Sequence, residues 1–197
     1  LIISAIMTLA LAGAMVSCYF DAARDNPNDP ESGLTIRSDV FMYSTVGQTG
    51  ALGGRYGANE LCRNRHALYS ELPNKNIYAF ISTNTNDEIR DMADKYGFPT
   101  DKPIKGPTGI QIADNWYDLI DGSIDVSLID AGVTSNLWWS GTLTSGAYAG
   151  DSLACTGWTP MGDGYFGDPS YDEEPNWFSH SSSSCSEGRV VLCVCWN

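Results

Sequence analysis

The sequence predicts a mixed α+β domain with two main helices, a mixed antiparallel sheet and a long irregular loop region. Three observations carry this. Apolar, strand-like runs at 39–46, 76–82, 136–141 and 188–196 are separated by two segments of helical period, 58–68 and 86–96. The last strand carries Cys193, more than a hundred residues after the Cys62 of the first helix, so a bridge between such segments would staple the two ends of one domain together. Between them, residues 142–184 are rich in Gly, Ser, Asp, Pro and aromatics and show little period. A loop of that length is unusual in a compact domain unless it is functional or stapled.

The elements follow in order. Residues 39–46 form the first strand, and 46–57, with five glycines, a loop. Helix 58–68 places Ala58, Leu61 and Cys62 on one face, with His66 on its exposed side. Strand 76–82 comes next. Asn86 then caps a helix through Tyr96 that buries Ile89, Met92, Ala93 and Tyr96, and Gly97 stops it. Residues 97–109 are a loop and 109–113 a short strand. Asp114 caps a short helix through Ile120, with Trp116, Leu119 and Ile120 inward. In strand 136–141, Trp138 and Trp139 are adjacent, so one belongs to the core and one faces out. In strand 188–196, Cys193 and Cys195 share a face and Val194 takes the other.

Composition narrows the function classes. A hydrophobic fraction of 43% with six Trp and ten Tyr argues for a packed core. The net charge of -13, with only 11 Lys and Arg, disfavours nucleic acid and anionic lipid surfaces as partners, since both need a basic face. Residues 1–17 are uncharged and mostly apolar, and Ala14-Met15-Val16-Ser17-Cys18 is similar to a bacterial lipobox. We therefore expect a lipoprotein signal peptide over 1–17, lipidation of Cys18, and export to an outer-membrane, cell-surface location. No basic residue precedes the apolar run, so this reading expects the true start to lie upstream. Residues 18–38, polar and rich in Pro and Asn, are expected to be a flexible tether, and 39–197 the folded domain.

With Cys18 lipidated, five cysteines remain, at 62, 155, 185, 193 and 195. Their spacing gives no C-x-x-C zinc pattern, and an exported chain favours disulfides. Four cysteines allow three connectivities, and spacing alone does not select one.

The motifs together resemble a known family. Gly53-Gly54-Arg55-Tyr56-Gly57-Ala58-Asn59-Glu60-Leu61-Cys62, Tyr78-Ala79-Phe80-Ile81-Ser82, the Trp116 helix, Leu137-Trp138-Trp139-Ser140-Gly141, Cys155-Thr156-Gly157-Trp158, and Cys185 with Val190-Val191-Leu192-Cys193 stand in one order over about 80% of the chain. This order resembles the endostatin domain of collagens and the endostatin-like lipoproteins of leptospires and related spirochaetes. The resemblance implies a C-type-lectin-like fold with nested disulfides, Cys62 to Cys193 and Cys155 to Cys185, and leaves Cys195 without a counterpart. It also implies host extracellular-matrix proteins, plasminogen or complement regulators as partners, and so a role in cell adhesion. The family's zinc-binding His cluster and Arg-rich heparin surface are absent from this sequence.

Enzyme chemistry is poorly supported, since the two histidines, His66 and His180, lack a recognisable catalytic setting. The leading expectation is a non-enzymatic binding protein without cofactor, whose ligand-binding residues are Tyr165, Phe166, Tyr171, Asp172, Glu174 and Asn176. Of the loop aromatics, Trp158 and Trp177 are expected in the core, and Tyr165, Phe166 and Tyr171 at the surface. The alternative is a calcium-dependent carbohydrate-binding lectin. Glu174-Pro175-Asn176 is similar to the calcium- and sugar-binding motif of some C-type lectins, with Asp172 and Glu173 adding charge. The Trp-Asn-Asp triplet that accompanies it in those lectins is absent. A structural envelope protein is the second alternative.

Overall fold

A computed structural model describes residues 38–173 and 175–197. The signal segment, Cys18, nearly all of the tether, and Glu174 lie outside the described residues.

The core is a five-stranded mixed sheet in the order β2-β8-β1-β3-β4. Its strands are β1 (Val40–Ser44), β2 (Asn76–Ala79), β3 (Ile104–Lys105), β4 (Gln111–Ala113) and β8 (Leu192–Trp196). The chain-end strand β8 sits between β1 and β2, antiparallel to both, while β1 and β3 run parallel. A second sheet, β5-β6-β7, is built from β5 (Trp138–Trp139), β6 (Asp163–Gly167) and β7 (Ser181–Ser184). The α+β class and the mixed sheet are therefore as the sequence predicts. The strands β6 and β7 were not expected: the sequence reads there as irregular, and four consecutive serines give no strand signal.

Both faces of the larger sheet are covered, and residue alternation sorts its side chains into two cores. Val40 and Met42 of β1, with Leu192, Val194 and Trp196 of β8, join Trp116, Trp138, Trp177 and Phe178 in one. Phe41 and Tyr43, with Cys193 and Cys195, join Ala58 and Cys62 of helix α1 (Gly54–His66), Trp139 and Trp158 in the other. Strand β5 lies between the two cores, so Trp138 belongs to one and Trp139 to the other and both are fully buried. The expectation that one faces out fails for that reason.

Helix α1 starts four residues earlier than its apolar period suggests, because the glycine loop supplies its first turn. At Gly57 a side chain has no room: a Cβ there would lie 1.9 Å from the Leu52 carbonyl oxygen. The last turn carries Arg63, Arg65 and His66, which suits the negative end of the helix dipole. His66 is buried rather than exposed, with Nε2 2.9 Å from the Pro73 carbonyl oxygen and its ring edge-on to Tyr43, because this end of the helix lies down on β1. Asn59 is also buried, and its side-chain oxygen accepts the Ala79 N–H at the end of β2.

The helix expected over 86–96 is shorter. A turn at Asn84–Asp87 precedes a 3-10 turn (Ile89–Asp91) and α2 (Met92–Tyr96), which ends at Gly97 as predicted. Asn86 caps nothing; its N–H is held by Asn84. Helix α3 (Trp116–Leu119) is capped by Asn115, which accepts from Tyr117 N and Asp118 N, one residue beyond the expected Asp114. The expected strand 76–82 pairs with β8 in register to Ala79, its Phe80 N–H still donates to Leu192 O, and Ser82 N–H then donates to Ser140 O just past β5.

Both disulfides are formed in the nested arrangement, Cys62–Cys193 and Cys155–Cys185. Cys195 is a free, buried thiol on the same side of β8 as Cys193. Burial pushes it up to about 12, only partly offset by a backbone hydrogen bond from Phe41. It is expected to stay unlabelled by iodoacetamide at pH 8 in the folded protein and to be labelled fully once unfolded, read by peptide mass. Labelling in the native state would show that β8 opens locally.

Candidate functional site

The long loop is laid out by the second disulfide. Residues Cys155–Trp158 form α4, a single turn whose backbone is left-handed throughout, with φ of 50°, 51°, 75° and 64°. Three of the four residues are not glycine, so the turn is strained by about 1–2 kcal/mol for each of them. The bridge to Cys185 and the burial of Trp158, whose Nε1–H donates to Ser82 O at 2.8 Å, hold it in place. Trp177 is buried too, as expected.

Of the six predicted ligand-binding residues, Phe166 is buried, against expectation. It lies on the inner face of β6 with Gly164, beneath the Arg189 guanidinium, which sits 3.9 Å from its ring centre. Arg189 also stands 5.1 Å from the Trp139 ring centre and hydrogen-bonds Ser183 and Glu187. An arginine spread over two rings takes the place of solvent, and neither hydropathy nor period could show that. Tyr165 is half-buried on the opposite side of β6, across from Ser182.

His180 brings together three of the predicted residues. Its ring stacks on the exposed Tyr171 at 5.6 Å and 25° and lies 5.8 Å from Phe166. Its Nδ1 is 3.3 Å from the Asn176 side-chain oxygen. Asn176 opens the one-turn helix α5 (Asn176–Ser179), which anchors the patch by burying Trp177 and Phe178. Asp172 is exposed, and its carbonyl oxygen accepts the Ile124 N–H. The result is an aromatic pair at the surface, held from below by Phe166 and α5.

Among the described residues no cluster of His, Cys, Asp or Glu is arranged to hold a metal ion. The Asn176 amide oxygen lies 3.3 Å from His180 Nδ1, and its motif neighbour Glu174 lies outside the described residues. Neither histidine is hydrogen-bonded to a nucleophile: His66 meets a carbonyl and His180 an amide.

Two surfaces that the sequence reading missed also emerge. An apolar groove of about 350 Å³ runs between the end of β1 and α1, lined by Val46, Leu61 and Leu68 with Arg65 at its side. A polar cleft of about 430 Å³ lies between Asn84–Thr85 and Tyr148–Asp151. The Tyr148 hydroxyl donates to Asp151 Oδ1 at 2.6 Å, and burial together with that bond holds the phenol protonated well above its usual range. Only tertiary contact brings these segments together, so no local motif marks them. No known family model matches this chain, and no curated protein matches it either. Among the described residues no helix is long and apolar enough to cross a membrane.

Proposed function

We propose that this chain is a bacterial surface lipoprotein, held on the outer membrane through Cys18, whose C-type-lectin-like, endostatin-like domain binds host extracellular-matrix or plasma proteins without enzymatic activity. Support for the family reading comes from the motif order together with the nested disulfides, which pair as the resemblance implies. The observation that carries the binding reading is the Tyr171–His180 stack. It is an exposed aromatic pair, braced by Asn176 and Phe166, on a segment clamped by a disulfide. Pre-ordered aromatics of this kind lose little entropy on binding and make effective anchors.

In solid-phase binding to immobilised fibronectin, laminin and plasminogen, at least one is expected to bind well above albumin. Tyr171→Ala should weaken that binding about tenfold or more. Leu68→Ala, in the separate apolar groove, should leave it unchanged. Binding no better than to albumin sinks the function; full affinity in Tyr171→Ala sinks the site. The calcium-dependent lectin remains the second reading through Glu174 and Asn176, and a calcium titration that gives neither heat nor a thermal shift removes it.

A further inference from the structure

We propose that the polar cleft between Asn84–Thr85 and Tyr148–Asp151 is a recognition site for a basic side chain, the ammonium of a lysine or the guanidinium of an arginine in a protein partner. Four observations lead there. The cleft, about 430 Å³, has Asp151 as the one charged residue in its lining, beside the Tyr148 ring, the Thr85 hydroxyl and the Asn84 amide. Asp151 has no ion-pair partner among the described residues, while the nearby cations are engaged elsewhere: Arg90 with Glu88, and Arg55 and Lys95 with Asp87. The Tyr148 hydroxyl is tied to Asp151 Oδ1, which places a carboxylate and an aromatic ring side by side. The arrangement is braced from below, because the buried Glu88 accepts the Tyr148 N–H at 2.9 Å.

A cation gains from each of these groups. It pairs with a carboxylate whose internal partner is a neutral hydroxyl and not a cation, and it lies beside the Tyr148 ring. The net charge of -13 draws such a partner in. An anionic ligand finds no cation in the lining, and a neutral sugar would donate hydroxyls to Asp151 but leave its charge without a counter-ion. This deepens the proposed binding function by naming the chemistry of a partner, but it concerns a cleft apart from the Tyr171–His180 stack and is tested separately.

The test uses the 15N-labelled full chain and Nα-acetyl-lysine amide as probe, with acetyl-arginine amide, acetyl-norleucine amide and methyl mannoside beside it. The two basic probes should shift the backbone amides of residues 84–85 and 148–151, saturating in the millimolar range. Affinity should fall about fivefold or more in Asp151→Asn, and again when salt is raised from 20 to about 500 mM. Thr85→Val, which leaves the Tyr148–Asp151 pair in place, should weaken binding by a smaller factor. Three results overturn the proposal: no shifts with either basic probe, equal shifts with norleucine, or shifts confined to methyl mannoside. Unchanged affinity in an Asp151→Asn protein that melts like the parent overturns it as well. Basic-probe shifts in a protein that binds no matrix or plasma protein would uphold the cleft and reject the proposed function.

Discussion

Replacing Cys62 and Cys193 with serine should cost more stability than any surface change in this protein. The bridge joins residues 131 apart, and loop-closure entropy over that span corresponds to about 5 kcal/mol at room temperature. Both sulfurs are fully buried, one on α1 and one on β8, so the serine hydroxyls would also be placed in an apolar layer. Urea unfolding should show the midpoint falling by an amount equivalent to about 2–5 kcal/mol. A Cys155→Ser/Cys185→Ser pair, whose bridge spans 30 residues, should cost less, about 4 kcal/mol at most. If the shorter bridge proves the more important, the packing it holds around the buried Cys155, Trp158 and Cys185, and not loop entropy, ranks the two bridges, because release of the strained turn would lower the cost of its removal.

The second large effect is expected at Asp87. Arg55 reaches from the first turn of α1 to Asp87 with two hydrogen bonds, from Nε at 2.9 Å and Nη2 at 3.0 Å, and also donates to the Ala79 and Ile81 carbonyls. Thr83 and Tyr96 donate the remaining hydrogen bonds to the carboxylate, each at 2.8 Å. The pair is nearly closed to solvent, with 14% and 5% of the two side chains exposed. Asp87→Ala strands a guanidinium in that site and should destabilise by about 3–5 kcal/mol. Arg55→Met with Asp87→Leu should recover only part of the loss: the buried guanidinium is gone, but the Ala79 and Ile81 carbonyls and the Thr83 and Tyr96 hydroxyls lose their partners.

The same pair sets part of the pH dependence. Burial alone would raise the Asp87 carboxyl, but the hydrogen bonds and charge of Arg55, with Thr83 and Tyr96, outweigh it and hold the carboxyl below its usual range. A depressed carboxyl contributes stability that is fully present above its unfolded value, about 3.9, and is lost as pH falls through the lower folded value. Thermal unfolding between pH 5 and 2 should therefore show a steeper acid loss in the parent than in Asp87→Asn. Equal slopes would mean that other carboxylates dominate the acid limb.

The legibility of this chain follows from how far each signal reaches. Strand and helix periods are local, so β1, β8, α1 and the stop at Gly97 could be read residue by residue. Alternation also placed Cys193 and Cys195 on one face correctly, and the strand-like or stapled segments beside Trp158 and Trp177 marked these two for the core. The failures share a different cause. Trp139, Phe166 and His66 each occupy a surface that local pattern leaves open and that a distant segment covers: the α1-side core, Arg189, and the β1 layer. Asn86 was read as a cap because Asn favours caps; in the fold, the neighbouring Asp87 is drawn away by Arg55, 32 residues earlier.

The candidate site divides along the same line. Tyr171 and Asn176 could be chosen from the sequence as a rigid aromatic and an amide in a loop, but their organiser, His180, could not, since its role depends on the strand pairing that brings Phe166 beneath it. The sequence by itself determined the α+β class, the placement of the main strands and the cysteine-bearing segments, because periodicity and spacing are properties of neighbouring residues. The tertiary structure alone decided which faces are covered, where Arg55 and Arg189 find their partners, and that Tyr148 and Asp151 meet Asn84 and Thr85 in a cleft. Burial and charge pairing depend on residues that are distant in the chain, and the chain has to fold before those residues meet.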